Sequence, residues 1–307
     1  MPSSNQKKSF QCLYTLEAFE YEIYDMAVSQ DGQFLAATDR LKLKLWYIAR
    51  NQLIWTTSGH GGKHIAISPN NQFVGASGNE FTAQLWSAST GEHLCELKHT
   101  AYWEHDYHSV AFTPDSNYLI TGDQGGYQAW DVSKGKKASW TSDILFPGGV
   151  YRIAISPNGH FISASGDIRL YEIPVRRPLR EPIKTHSLVS SVAITSDGKK
   201  CAAGIVGNGI TLREWETGQQ LWHIDQQQFG FSNQNSLASS LSFSRDGKVL
   251  VSSSIYDKVV RFWDVATGAL IQAKEDFSLP VKKVILCPNG ETLVTCDKHQ
   301  IKVWRLS

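Results

Sequence analysis

Residues Ala238–Asp264 read ASSLSFSRDGKVLVSSSIYDKVVRFWD. Apolar positions alternate at Leu241 and Phe243, and Arg245-Asp246-Gly247 then supplies a turn. Val249 to Val251 is apolar again. Tyr256-Asp257 marks a second turn, and Val259, Val260 and Phe262 lead into Trp263-Asp264. Two turns between three period-two runs predict three antiparallel strands joined by hairpins. Three strands alone leave an apolar face uncovered, so such a unit has to stack on copies of itself.

The copies are present. The first turn recurs at Gln30-Asp31-Gly32, Pro69-Asn70-Asn71, Pro114-Asp115-Ser116, Pro157-Asn158-Gly159, Ser196-Asp197-Gly198, Arg245-Asp246-Gly247 and Pro288-Asn289-Gly290. Pro presets φ, Asp or Asn folds onto the local backbone, and Gly takes positive φ without a Cβ clash. Ser116 fits that last position worst. Each unit ends in an aromatic residue: Trp46, Trp86, Trp130, Tyr171, Trp215, Trp263 and Trp304. Successive spacings of 40, 44, 41, 44, 48 and 41 residues match the roughly 40–45 of a four-stranded propeller blade. Each first strand flanks a small residue with two apolar ones, at Ala27, Ala66, Ala111, Ala154, Ala193 and Ser242, with Ile285 the exception. Crowding of inner strands near a common axis is the expected reason, because a large side chain there would strike the next blade.

On these residues the chain resembles the WD-repeat family in a divergent form, since Asp follows the aromatic only at Asp131 and Asp264. The resemblance covers nearly the whole chain. It implies an all-β fold, a seven-bladed β-propeller of four-stranded antiparallel blades. Outer strands are visible at 91–97, 218–222 and 268–271, but no room for one follows Trp304. FQCLYTL at Phe10–Leu16 precedes the first unit without a blade of its own. It is expected to pair with the last blade and close the ring, which removes exposed sheet edges. The expected organisation is a short disordered tail over 1–9 and a single propeller over 10–307. Its blades fall near 17–57, 58–99, 100–143, 144–185, 186–225, 226–275 and 276–307.

Composition narrows the function classes. Thirty basic residues against 29 acidic ones leave a net charge of +1, so no global field argues for nucleic acid or an anionic membrane. No apolar run approaches the roughly 18 residues of a membrane span, and the N-terminal MPSSNQKKS lacks a signal-peptide core. The five cysteines (Cys12, Cys95, Cys201, Cys287, Cys296) show no CxxC spacing and read as reduced thiols. An intracellular, cytoplasmic, soluble protein without a cofactor is expected. It would be a monomeric propeller within a larger assembly.

Loops that depart from the repeat are where function is sought. The Pro-Asp-Gly turns fall on one face, here the bottom. First-strand entries and second turns fall on the top. HTAYWEHDYH at 99–108 is an enlarged top entry, with Tyr102, Trp103, His105, Tyr107 and His108 in the composition of a binding hot spot. Folding of Trp103 onto its own blade is the structural alternative. His99, His105, Asp106 and His108 carry metal-ligand chemistry but no recognised zinc spacing. DQQQFGFSNQNSL at 225–237 offers Phe229 and Phe231. Tyr24, His64, Tyr151, Arg152, Lys282, Lys283 and Tyr256 fall on shorter top segments and would ring the channel mouth. Arg176, Arg177 and Arg180, among prolines, form a basic rim segment whose plain role is edge protection. The resemblance further implies a structural hydrogen-bond set of His99, Thr121, Asp123 and Trp130. Partial sets would fall at His60 with Trp86 and His186 with Trp215.

The function expected is a non-enzymatic scaffold binding a protein or peptide on the top face. An alternative is a propeller enzyme, a hydrolase or lyase at the channel mouth, but no nucleophile, metal or phosphate-loop motif appears. A second alternative is rim binding of an acidic partner or nucleic acid. The balanced charge disfavours nucleic acid.

Overall fold

In a computed structural model the described residues are 9–16, 19–59, 61–77, 82–98, 109–123, 125–139, 149–173, 179–225 and 238–307. Their strands form seven four-stranded sheets, and neighbouring strands within each are antiparallel, as in the first blade where 25–28, 34–38, 43–47 and 52–56 run in order. The other blades span 65–98, 109–137, 152–184, 189–224, 240–274 and 283–306. Their first strands touch in cyclic order, and that of the seventh returns to that of the first. The molecule is a seven-bladed propeller.

Phe10–Leu16 supplies the missing outer strand. It pairs with Ile301–Leu306 from Phe10↔Leu306 to Leu16↔Ile301, with a bulge between Cys12 and Tyr14. The pairing extends one step further: Ser9 N–H donates to the Ser307 carbonyl at 2.8 Å. Leu16 is buried between the first and last blades with Met26, Trp46, Val303 and Ile301. Closure therefore stands on a backbone ladder and a shared apolar cluster together.

The bottom turns show why Ser or Thr stands just before the turn in six of the seven blades. In six blades a hydroxyl donates to the Asp or Asn two residues on, as from Ser29 to Asp31 at 2.6 Å and from Ser244 to Asp246 at 2.6 Å. The same oxygen accepts the N–H five residues on, as from Phe34 and Val249, both at 2.9 Å, or four residues on in the fourth blade, from His160. The seventh blade has Cys287 at that place, and Asn289 alone caps its turn. Asn71 and Ser116 do adopt positive φ, 59° and 62°. Ser116 tolerates this at a cost of about 1 kcal/mol, and its hydroxyl accepts the Asn70 N–H of the neighbouring blade.

Inside the blades, the indoles of Trp130, Trp263 and Trp304 donate to Thr121, Ser252 and Thr295 at 3.0, 2.8 and 2.9 Å. The fifth blade departs from the sequence reading. Cys201, aligned with Leu119 and Leu250, pairs with Arg213 and not with Trp215. Trp215 N–H donates to Lys199 O, the bond that Val132, Val265 and Leu306 make two residues beyond their tryptophans. Arg213 thus stands at the aromatic position, and Trp215 lies two residues later, at the bottom. There it stacks on His160 of the fourth blade, 4.5 Å between centroids. Its indole nitrogen is buried with no partner among the described residues, so the His186–Trp215 set does not form.

Neighbouring blades are also locked near their outer edges. Trp55 Nε1 donates to Ala88 O of the second blade at 2.8 Å, and Trp222 Nε1 to Val265 O of the sixth at 2.9 Å. The Lys274 ammonium, at the end of the sixth blade's outer strand, lies 5.4, 5.6 and 5.0 Å from the rings of Phe10, Phe277 and Trp304. It ties the sixth blade to the closing strand. Among the described residues, no helix is long and apolar enough to cross a membrane.

Candidate functional site at the channel mouth

The small-residue ring explains what lines the channel. Ala27, Ala66, Ala111 and Ile285 are only half-buried and border an open bottom cavity of about 380 Å³. They face the axial space, so the crowding argument is replaced by exposure to the channel itself. Side chains in a strand alternate, so the residue two before each small one faces the same space nearer the top. That position reads Asp25, His64, Ser109, Arg152, Ser191, Ser240 and Lys283 around the ring. All seven border a second cavity of about 420 Å³ at the top mouth.

The polar residues of this ring stitch the inner strands together. Asp25 Oδ2 accepts the Ile65 N–H of the next blade at 3.1 Å. Ser109 Oγ accepts from Ile153 at 3.1 Å, and Ser240 Oγ accepts from Val284 at 3.2 Å. Ser191 donates to Ala238 O at 2.8 Å. An inner strand has no fifth strand to pair with, and these side chains satisfy part of its edge.

Asp25 is the electrostatic centre. It is buried, 7% exposed, and touches the Lys283 ammonium with Oδ1 and His64 Nδ1 with Oδ2, the latter at 3.5 Å. Burial alone would push its carboxyl up. Lys283 and the His64 hydrogen bond reverse that and hold it well below the usual carboxylate range. Burial pushes the His64 imidazole below its ordinary value, against the pull of Asp25, and Arg152 and Lys283 add to the fall. Lys282 donates to Ile23 O at 2.7 Å and Glu22 at 3.1 Å, and lies 5.5 Å from the Tyr24 ring centre.

Arg152 stands on the fourth blade, across the ring from the first and seventh. Its Nε donates to Ser190 O at 2.6 Å and its Nη1 to Tyr151 O at 2.8 Å. Burial lowers its affinity for the proton and the Asp25 charge raises it, but a guanidinium stays charged throughout. The lip of the cavity carries Tyr256 and Ile255, 56% and 44% exposed, and Tyr24 at 37%.

Of the residues singled out from sequence, Tyr24, His64, Arg152, Tyr256, Lys282 and Lys283 border this one cavity. Tyr151 contributes its carbonyl to Arg152. Asp25 was missed. Its signal was its place two residues before Ala27, the place held by His64, Arg152 and Lys283 in their own blades. Thr121, Asp123 and Trp130 lie together in the third blade, where Asp123 caps the second turn through the Gly125 and Gly126 N–H groups. Arg180 does not extend from the rim: it donates to the Trp215 and Glu216 carbonyls of the fifth blade. His99, Tyr102, Trp103, His105, Asp106, Tyr107, His108, Arg176, Arg177, Phe229 and Phe231 lie outside the described residues.

The family model described as WD domain, G-beta repeat matches residues 10–46 and 226–264. Rat apoptotic protease-activating factor 1 is 25% identical over 265 residues, 83% of this chain and 20% of that protein. Protein groucho of Drosophila melanogaster is 23% identical over 259 residues, 81% of this chain and 32% of its own. The chicken serine-threonine kinase receptor-associated protein is 36% identical over 107 residues, 29% of each chain. The chain therefore spans well under two thirds of the length of these relatives.

Proposed function

The chain belongs to the WD-repeat family, and from that premise we propose that it is a non-enzymatic scaffold that binds a protein or peptide across the top channel mouth. The observation that carries this reading is the exposed aromatic lip around a cavity of about 420 Å³ with a hydrogen-bonded wall. Aromatic side chains give contact area at low entropic cost, and a pre-organised wall limits what is lost on binding. Two relatives are named for what they act with, a protease-activating factor and a receptor-associated protein. That is consistent with a scaffold, while fold alone does not assign a function.

The convergence of Asp25, His64, Arg152 and Lys283 is what an enzyme reading would draw on. Asp25 is engaged by Lys283, His64 and the Ile65 N–H together, an arrangement suited to fastening blades. The scaffold reading accounts for it with fewer assumptions. The buried, unpaired thiols of Cys201, Cys287 and Cys296 fit an intracellular setting, and one propeller within a larger assembly fits the open lip.

Affinity capture from native extract tests the reading. Wild type is compared with Tyr24→Ala/Tyr256→Ala, with a Tyr102/Trp103/Tyr107 triple alanine, and with Arg176→Ala/Arg177→Ala. A partner kept by wild type and lost by either top-face variant supports the top face. A partner lost only by the arginine variant moves the site to the rim and refutes the proposal.

A further inference from the structure

We propose that the channel mouth is a socket for one acidic side chain, with the Arg152 guanidinium receiving the carboxylate of an Asp or Glu from a partner segment lying across the lip. This inference rests on the reading of the top face as a peptide-binding surface.

The Arg152 guanidinium is held in one orientation. Two edges of the guanidinium are held by the Ser190 and Tyr151 carbonyls, at 2.6 and 2.8 Å. Nη2 takes no partner among the described residues, and Arg152 borders the cavity. The donor is fixed before any ligand arrives, so little rotamer entropy is lost on engagement.

The charges of the cavity leave Arg152 unanswered. Lys282 is answered by Glu22 and Lys283 by Asp25. His64 is held towards its neutral form by burial. Arg152 is the cation in this cavity without an ion pair among the described residues. One uncompensated positive charge in a half-buried space calls for one negative charge. A carboxylate supplies that. A phosphate monoester brings nearly two, and the second would meet the field of Asp25, which reaches Arg152 across the channel.

The cavity has the size of a side chain. About 420 Å³ holds a side chain with some water and excludes a folded element. Exposed apolar surface flanks the opening on two sides, Tyr24 on the first blade and Ile255 and Tyr256 on the sixth. A segment lying along this arc of the lip, over the seventh blade, meets both. The recognised pattern is thus an acidic residue with apolar neighbours.

The test pans a random heptapeptide phage library against the folded wild type and against Arg152→Met. Expected is enrichment, on wild type, of sequences with Asp or Glu beside apolar residues. A synthetic, end-blocked peptide of that sequence should lose about tenfold or more in affinity on Glu→Gln substitution, the weight of one charge-assisted hydrogen bond. Arg152→Met should cost a similar factor, and the two changes together no more than either alone. Should Arg152→Met fail to fold, the Glu→Gln peptide on unaltered protein decides the matter. Enriched peptides without an acid, weakened by Tyr256→Ala yet indifferent to Arg152→Met, overturn the socket and leave the peptide-binding face standing. Peptides that bind only as free C-terminal acids overturn the side-chain assignment. No enrichment on wild type overturns the socket together with the reading beneath it.

Discussion

Replacing Asp25 with Asn tests whether the channel mouth is held by charge. The substitution keeps the shape and an acceptor for the Ile65 N–H, but it leaves the Lys283 ammonium without its counter-ion. Two unit charges 3–4 Å apart attract by roughly 4–5 kcal/mol at an effective dielectric near 20, and breaking a buried pair from one side costs about 3–5 kcal/mol. Lys283 is 30% exposed on its side chain, so it recovers some hydration when Asp25 is neutralised. Asp25→Asn should therefore destabilise by roughly 2–3 kcal/mol after that discount. The assay is urea unfolding followed by tryptophan fluorescence. Lys283→Met alone leaves a buried carboxylate and should cost a similar amount. The double variant should lose clearly less than the two added together, with a coupling of at least about 1 kcal/mol. A loss under about 0.5 kcal/mol for Asp25→Asn, or additivity within that margin, would show that Asp25 serves only as a hydrogen-bond acceptor.

The remaining predictions concern pH and closure. The folded pKa of His64 lies below its unfolded value near 6.5, so the unfolded chain binds the extra proton; stability from this group is present above about pH 6.5 and is lost as pH falls below it, by at most about 1.4 kcal/mol per pH unit. In urea titrations from pH 7.5 to 5, His64→Gln should flatten that slope, and an unchanged slope would assign it to other groups. Leu16→Ala should destabilise by about 2–5 kcal/mol, because Leu16 is 3% exposed in the cluster that joins the first and last blades. Deleting residues 1–16 should lower the melting temperature further still, and an unshifted melt would sink the closure account. Lys274→Ala should cost about 1–2 kcal/mol through lost ring contacts and stem packing, and amide exchange at Gln11 and Cys12 should speed up more than exchange at the third blade.

The repeats were legible because each blade needs the same three things. It needs a turn that bends, a strand that alternates and a large residue to fill the gap to its neighbour. Phe10–Leu16 was legible by subtraction, since seven blades with one outer strand short leave it a single place. The fifth blade misled the reading because Trp215 looks like the terminal aromatic. Only strand register shows that Arg213 stands opposite Cys201, and a two-residue offset preserves both alternation and approximate spacing. The charged ring was half legible. His64, Arg152 and Lys283 stand out as polar residues at strand entries, but Asp25 drew no reading. Their meeting depends on ring closure, which brings residues some 258 positions apart into contact, as at Lys283 and Asp25. The rim arginine Arg180 turned inward for a reason that no local pattern holds, the free carbonyls of Trp215 and Glu216 on the next blade.

The seam between Phe10–Leu16 and Ile301–Leu306 has a temporal side. During synthesis the first half of the seam leaves the ribosome long before the second exists. At about 5–20 residues per second the wait is roughly 15–60 s, far longer than hairpin formation at about 1–10 μs. Blades one to six have time to form in order while the edge of Phe10–Leu16 that pairs with Ile301–Leu306 stays open. Through that interval the nascent chain is an open arc with a sticky leading segment, prone to seize another chain's unfinished last blade. Ribosome spacing on the message, and any chaperone that shields those few residues, would then set how many chains close on themselves and how many close on a neighbour.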